Sequence, residues 1–381
     1  MIKRTLQELC LNITDGKHGD CENEENSGYY FISCKDIFDG QINYKNARQI
    51  TKADYEETHK RTMLEVDDIL LTNSGTIGRM AFVTDREATT KTTFQKSVAI
   101  IKPDKQKVLP RYLYYQLQNC VPQFINSSNG SAQKNLLLST MRTFQIEIEE
   151  NREKQEKIAD TLSAYDDLIE NNQKQIKLLE ETAQRLYKEW FVDLRFPGHE
   201  NTKIVDGVPE GWRKFPLEEI APVVTGKKDA NYGDKGGNYP FFTCSQETIT
   251  APGYSFDTSA VILAGNGDFN VKLYRGKFEA YQRTYVLAPF DHLNLFNLYF
   301  TVQDNMEALA KGASGSTIKF LTKGMLQKIL VLTADKKILD KFNDYEENIQ
   351  QKVEALKKQV EDLTEIRNRL LPKLMSGEVE V

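Results

Sequence analysis

The chain has 381 residues, 28% of them charged, and carries 50 basic against 55 acidic side chains for a formal net charge of −5. That length predicts two or three domains, and the acidic balance excludes a protein that holds nucleic acid by bulk positive charge, since phosphate binding needs Lys and Arg. With no apolar run of 18 residues and no apolar core in the opening Met1-Ile2-Lys3-Arg4-Thr5-Leu6-Gln7-Glu8, a membrane span and a secretory signal are not expected, and the cytoplasm is the expected location.

Residues 1–150 read as a mixed α/β domain. Short apolar runs such as Tyr29-Tyr30-Phe31-Ile32 predict strands. Leu70-Leu71-Thr72-Asn73-Ser74-Gly75-Thr76-Ile77-Gly78-Arg79 predicts a strand followed by a polar turn, whose small residues would let backbone amides approach phosphate while Arg79 adds charge. The five cysteines (Cys10, Cys21, Cys34, Cys120, Cys244) are odd in number and form no C-x-x-C, and the four histidines sit in no ligand-spaced motif. Reduced, mostly buried thiols are expected, with no disulfide framework and no metal site.

Residues 151–196 follow a different rhythm. Ile158, Leu162, Tyr165, Ile169, Asn172, Ile176, Leu179, Ala183, Leu186 and Trp190 step alternately by four and three, the pattern of a coiled-coil helix, with Asn172 as the polar seam residue that can fix register. After the turn-rich Phe196-Pro197-Gly198-His199-Glu200-Asn201, a second mixed domain occupies residues 203–335, with Ala260-Val261-Ile262-Leu263 as a predicted strand. A second long helix follows over residues 336–377. Its predicted seam is Ile338, Phe342, Tyr345, Ile349, Val353, Leu356, Val360, Leu363, Ile366 and Leu370, with a break in the heptad between Tyr345 and Val353 and a stop at Pro372 and Gly377. Each seam covers about 32 residues, roughly 48 Å at 1.5 Å per residue, and an intramolecular antiparallel pair is the expected arrangement.

The two halves repeat. Lys157-Ile158-Ala159-Asp160 aligns with Lys337-Ile338-Leu339-Asp340, and Tyr165 with Tyr345. Phe94-Gln95-Lys96-Ser97 aligns with Tyr281-Gln282-Arg283-Thr284, Leu113-Tyr114-Tyr115 with Leu298-Tyr299-Phe300, and the block around Gln133-Lys134 with the block around Ser316 and Lys319. The expected fold class is α+β: two mixed α/β domains separated by two long antiparallel coiled-coil helices, with a pseudo-twofold internal repeat. Such a repeat matches the twofold symmetry of a DNA backbone, so the two domains could read half-sites about one helical turn, ~10 base pairs, apart.

Candidate DNA contacts therefore fall on loops that recur. In the first domain they are Lys17 and His18 after an Asp-Gly turn, Asn73, Ser74, Thr76 and Arg79, then Gln95 and Lys96, then Gln133 and Lys134. In the second they are Lys227 and Lys228 after a Thr-Gly turn, Asn266 and Asn270, then Gln282 and Arg283, then Ser316 and Lys319. Gln can pair with adenine and Arg with guanine in the major groove, and Lys can take phosphate. No phosphate loop, dinucleotide fingerprint, H-E-x-x-H, G-x-S-x-G or Asn/Asp-Pro-Pro-aromatic motif occurs. No catalytic residue is therefore assigned. The acidic pairs Asp67-Asp68 and Asp166-Asp167 are expected on solvated faces.

At this point the chain resembles the specificity subunits of type I restriction–modification systems along essentially its whole length. The resemblance rests on Glu189-Trp190-Phe191-Val192-Asp193-Leu194-Arg195-Phe196-Pro197-Gly198, Gly207-Val208-Pro209-Glu210-Gly211-Trp212 and Leu370-Leu371-Pro372-Lys373-Leu374-Met375-Ser376-Gly377. Asp68-Ile69-Leu70-Leu71-Thr72-Asn73-Ser74-Gly75-Thr76-Ile77-Gly78 and Gly276-Lys277-Phe278-Glu279-Ala280-Tyr281-Gln282-Arg283-Thr284 are also typical. One departure is that the first domain starts at Met1 without the Pro-Glu-Gly-Trp lead-in of the second. The resemblance implies that each domain is a target recognition domain reading half of a bipartite site in double-stranded DNA, and that the helices set the spacer. It also implies docking of two modification (methyltransferase) subunits, with two motor–nuclease restriction subunits where that arm exists. S-adenosylmethionine would belong to the modification partner and ATP and Mg to the restriction partner, with no cofactor bound by this non-catalytic chain. Apolar helix residues such as Leu168, Leu178 and Phe191 would then be exposed partner surface. Two other readings use the same features: a stand-alone sequence-specific DNA-binding regulator, and a coiled-coil protein scaffold.

Overall fold

The computed structural model describes residues 1–84, 87–128, 134–313 and 319–380. The chain divides into two compact units, one made of Met1–Asn171 with Gln359–Val381 and the other of Asn172–Lys358, so the division falls inside both long helices. Among the described residues no helix is long and apolar enough to cross a membrane.

In the first unit a four-stranded antiparallel sheet runs in the order Cys10–Asp15, Val98–Pro103, Ile69–Thr72, Met80–Phe82. Its side chains alternate between two cores, as a period of two requires. Ile69, Leu71, Ala99 and Ile101 join the cluster under the Pro110–Asn119 helix, while Leu70, Val98 and Ile100 pack with Ile32, Ala81 and Phe94 on the other face. A smaller sheet places Tyr30–Ile32 between Arg48–Gln49 and Thr92–Phe94, the last in parallel. Ile2–Thr5 pairs with Gln145–Ile148 and closes the unit's own ends together.

The second unit carries a six-stranded sheet ordered Val223–Thr225, Thr284–Leu287, Phe256–Ala264, Val271–Ala280, Tyr239–Phe242, Ile249–Ala251. Alternation again splits it: Val261 and Leu263 face the helix side, Ala260 and Ile262 the other. The helix on this sheet, Leu295–Asp304, stands where Pro110–Asn119 stands in the first unit.

The central helix, Arg152–Tyr187, begins on Asn151, whose Oδ1 accepts from the amides of Glu153 (2.9 Å) and Lys154 (3.3 Å). The C-terminal helix, Lys336–Ser376, begins on Asp335, whose Oδ1 accepts from the Ile338 amide at 3.1 Å. Within the first unit Ile158, Ala159 and Leu162 share a core with Leu374 and Met375, while Asp166 meets Arg367. Within the second, Glu180 meets Lys357 and Trp190 packs on Phe342 and Tyr345. In each unit the helices run antiparallel. All ten predicted seam positions of the central helix are buried or half-buried.

Four expectations need correction. Tyr345 is 57% exposed and Ile366 47%, whereas Glu346 is fully buried and Arg367 is half-buried. With those two charged residues in place, the seam Leu339, Phe342, Glu346, Ile349, Val353, Leu356, Val360, Leu363, Arg367, Leu370, Leu374 is an unbroken heptad and the break disappears. Pro372 does not stop the helix, which continues to Ser376 because Leu374 and Met375 bury its last turn. The stop comes at Gly377, in the left-handed conformation at φ +75°. Phe191 is not exposed: the central helix ends in a π-helical turn, Lys188–Val192, that sends Phe191 into a cluster with Trp212, Phe300 and Phe342. Leu168 and Leu178 are exposed as expected. Finally, Asp68 is buried and Asp166 half-buried, and both are tied into ion pairs rather than standing on solvated faces. Asp68 is buried against Lys102 at 2.7 Å, and burial pushes its carboxyl up to about 6. Asp166 is held by Arg367 and Tyr115, each at 2.6 Å.

Candidate nucleic-acid interface

The recurring loops converge in each unit because backbone hydrogen bonds tie them to one another. In the first unit the Lys17 amide donates to the Phe94 carbonyl (2.8 Å), and the Lys17 carbonyl accepts from the Lys96 amide (3.1 Å). The Asn73 amide donates to Ser97 (3.0 Å), and the Leu136 amide donates to Asn73 (2.7 Å). The second unit repeats the same stitches. Gln282 donates to Lys228 (2.9 Å), Gly265 to Arg283 (2.9 Å) and Leu321 to Gly265 (2.8 Å). Isolated bridges pair Lys17 with Gln95 and Ser74 with Asn135, and correspondingly Lys228 with Tyr281 and Asn266 with Phe320.

The two turn glycines make this convergence possible. A Cβ on Gly16 would lie 2.0 Å from the Phe94 carbonyl oxygen, and one on Gly226 would lie 2.0 Å from that of Ala280. Only glycine allows the backbone of the turn to press against the neighbouring strand end.

These stitches also correct the repeat. The turn after each strand closes from Val98 to Gln95 and from Thr284 to Tyr281, so Gln95 corresponds to Tyr281, Lys96 to Gln282 and Ser97 to Arg283. The alignment of Gln95-Lys96-Ser97 with Gln282-Arg283-Thr284 is one residue out of register. Likewise the structural partner of Lys17 is Lys228, with Lys227 as an extra residue in the second turn. Lys134 and Lys319 do correspond, each preceding a bridged residue, and both are exposed.

Side-chain positions separate the candidates. Thr76, Arg79, Lys96, Lys134, Lys227, Arg283 and Lys319 are exposed, and Arg79 also reaches the Cys34 carbonyl at 3.4 Å. Ser74, Gln95 and Asn266 are half-buried within the stitched turns. Asn73 is buried, with its amide nitrogen 3.5 Å from the Leu136 carbonyl, which suits it to holding the loops. Asn270 donates to the carbonyls of Cys244 (3.2 Å) and Asp268 (2.8 Å), and exposed Gln282 donates to Asp229 at 2.8 Å. Lys17 is bound by Asp54 (2.9 Å) and Glu57 (3.2 Å), and His18 by Asp15 (2.9 Å). The hydrogen bond to Asp54 holds the Lys17 ammonium well above the usual lysine range. Lys228 lies over the Tyr232 ring at 4.5 Å. Gln133 and Ser316 lie outside the described residues.

Sequence reasoning missed Cys34 and Cys244, which stand at equivalent places against these loops. The Cys34 amide donates to Ser97 Oγ at 3.2 Å, and the Cys244 thiol to the Arg283 carbonyl at 3.5 Å. The signal was present in Phe31-Ile32-Ser33-Cys34 and Phe241-Phe242-Thr243-Cys244. Each cluster is thus a polar, basic-edged face built on rigid strand ends, suited to positioning phosphate and presenting amide and guanidinium donors to base edges.

Comparison with known proteins finds the same organisation. A family model described as the type I restriction modification DNA specificity domain matches residues 3–181 and again 209–362. The chain is 37% identical over 176 residues to the type I restriction enzyme EcoDI specificity subunit of Escherichia coli, an alignment spanning 45% of this chain and only 39% of that protein. It is 27% identical over 386 residues to the MjaIX specificity subunit of Methanocaldococcus jannaschii, spanning 92% of this chain and 87% of the relative. Its fold is similar to the crystal structure of a type I restriction–modification S subunit from M. genitalium, with a TM-score of 0.60 at 18% identity over 98% of this chain and 95% of the other.

Proposed function

The chain belongs to the type I restriction modification DNA specificity domain family, and from this premise we propose that each of its two units reads one half of a bipartite double-stranded DNA target. The observation that carries this reading is the repeated stitched loop cluster, which brings exposed Lys96, Lys134 and Arg79 to one place in the first unit and Lys227, Arg283 and Lys319 to one place in the second. The cations position the phosphate backbone, and the amide and guanidinium groups of Gln95, Asn266, Gln282 and Arg283 are the base-reading candidates. The alternating seams of the two helices support their role as the element that sets the spacer between half-sites.

The chain recognises and does not catalyse. In the assembled complex, two modification subunits hold S-adenosylmethionine and methylate adenine, and two restriction subunits, where present, use ATP and Mg; this chain binds none of these cofactors. Exposed Leu168 and Leu178 on the central helix support docking of the modification subunits. The net charge of −5 makes DNA binding by the chain alone weak, so tight binding needs partners that close on the duplex. The complex acts in the cytoplasm.

The test is reconstitution. The purified chain should methylate nothing, and addition of the modification partner should give S-adenosylmethionine-dependent adenine methylation at a split site, mapped by sequencing. Inserting one heptad into one long helix should alter the tolerated spacer or abolish binding. Methylation by the isolated chain would overturn the non-catalytic reading, and an assembled complex with no preference among duplexes would overturn the recognition reading.

A further inference from the structure

The first and second clusters differ at a lysine that the backbone places identically in both, Lys17 in one and Lys228 in the other. Lys17 and Lys228 each form a parallel bridge to the neighbouring turn, and each offers its carbonyl to the next turn amide. Around Lys17 stand two carboxylates, Asp54 at 2.9 Å and Glu57 at 3.2 Å, both from the helix Lys52–Thr62. Asp54 is itself fixed, accepting from the Glu22 amide at 2.6 Å and capping the helix start with Thr51. Asp15, at the end of the adjacent strand, holds His18 and Arg61. The second unit has no helix at this place. Between Phe242 and Phe256 its one regular element is the strand Ile249–Ala251, and among the described residues no carboxylate lies within ion-pairing distance of Lys228, which rests on the Tyr232 ring.

A phosphate approaching Lys17 therefore meets one cation already shared by two anions, a local excess of negative charge. The same phosphate at Lys228 meets a cation that lies on the electron-rich face of a ring and, among the described residues, has no carboxylate partner, which leaves its ammonium able to donate. We propose that the helix Lys52–Thr62 is an electrostatic guard, with Asp54 as a specificity-determining residue. It withholds Lys17 from phosphate, so that the first unit leans less on phosphate and more on base contacts, while Lys228 gives the second unit a phosphate contact that the first lacks. This inference rests on the assignment of the loop clusters to DNA. Its physical consequence is that nonspecific affinity is suppressed at the first half-site, because phosphate contacts contribute to any sequence and base contacts only to the right one.

The experiment measures duplex binding as a function of salt, using the full chain assembled with its modification partner. The probes are the duplex carrying the methylation-mapped target and a duplex of unrelated sequence. Each phosphate contact contributes about −0.9 to the slope of log affinity against log salt, roughly a three- to four-fold change in affinity between 50 and 200 mM. Lys228→Ala should reduce the magnitude of the slope by about one contact on both probes, and Lys17→Ala should leave it unchanged. Asp54→Asn should add about one contact and raise affinity for the unrelated duplex several-fold, narrowing the preference for the target. The double variant Asp54→Asn with Lys17→Ala should return the slope to the parent value, which separates release of Lys17 from any loosening of the fold. Equal losses from Lys17→Ala and Lys228→Ala, or no gain from Asp54→Asn, would overturn the guard while leaving the recognition reading intact. If Lys228→Ala, Arg283→Ala and Lys319→Ala all left the slope unchanged, both the guard and the DNA assignment of these loops would fall.

Discussion

The two units place an acidic side chain at the same seam position, half-buried in the first and fully buried in the second, and treat it in opposite ways. Asp166 and Glu346 occupy equivalent places in the repeat, one helical step after Tyr165 and Tyr345. In the first unit Asp166 accepts from the Tyr115 hydroxyl and from Arg367, each at 2.6 Å. In the second, the residue matching Tyr115 is Phe300, and the residue matching Arg367 in the repeat is Tyr187, whose hydroxyl is 3.0 Å from Thr301 Oγ1. Glu346 is left fully buried with neither carboxylate oxygen hydrogen-bonded. Burial pushes its pKa up to about 8. A duplicated scaffold thus keeps a carboxylate while its partners drift apart. Without a partner, an acid in a dry seam avoids the cost of burying charge by keeping its proton.

The largest test concerns what the units share. Gly16→Ala and Gly226→Ala should each destabilise by about 3 kcal/mol, since the added Cβ collides with a backbone carbonyl rather than a movable side chain. Denaturant unfolding of the two variants should give similar losses; a loss confined to one would mean the turns are not equivalent. Next comes the paired acid. Asp166→Ala leaves the Tyr115 hydroxyl and the half-buried Arg367 without their acceptor and should cost about 2–3 kcal/mol, less than for a fully buried pair because solvent still reaches both charges.

The unpaired acid should respond with the opposite sign. Between the ordinary glutamate value of 4.5 and about 8, the folded chain holds a proton on Glu346 that the unfolded chain has released. Stability from this group is therefore fully present at the acid end of that window, falls as pH rises through it, and is flat above it. Glu346→Gln should remove this slope and stabilise the chain at pH 8 by on the order of 1–2 kcal/mol, read from unfolding midpoints at several pH values. An unchanged slope would show that Glu346 finds a partner in solution. The smallest expected effect lies at the helix starts: Asn151→Ala and Asp335→Ala should each cost about 1 kcal/mol, one in each unit.

Much of the site was legible as order and little of it as register. The recurrence of the loops could be seen from residue types, but Gln95-Lys96-Ser97 and Gln282-Arg283-Thr284 look alike while standing one residue apart. Turn residues of similar polarity do not say which amide closes the turn; the hydrogen bonds Val98 to Gln95 and Thr284 to Tyr281 do. The same limit hid Glu346. Periodicity counted by apolarity prefers Tyr345, and only packing shows that the carboxylate takes the inner position.

The sequence by itself determined the mixed α+β class, the duplication, the two long helices and the seam of the central one, because a local period acts over neighbouring residues. It also determined which loops recur and that they carry Lys, Arg and Gln. Only the tertiary structure decided which of those cations are available. Lys17 and Asp54 are 37 residues apart, and their pairing depends on a helix that the second unit lacks. Whether a charge is free or spent depends on what the fold places within about 3 Å of it, and such long-range neighbours leave no local trace.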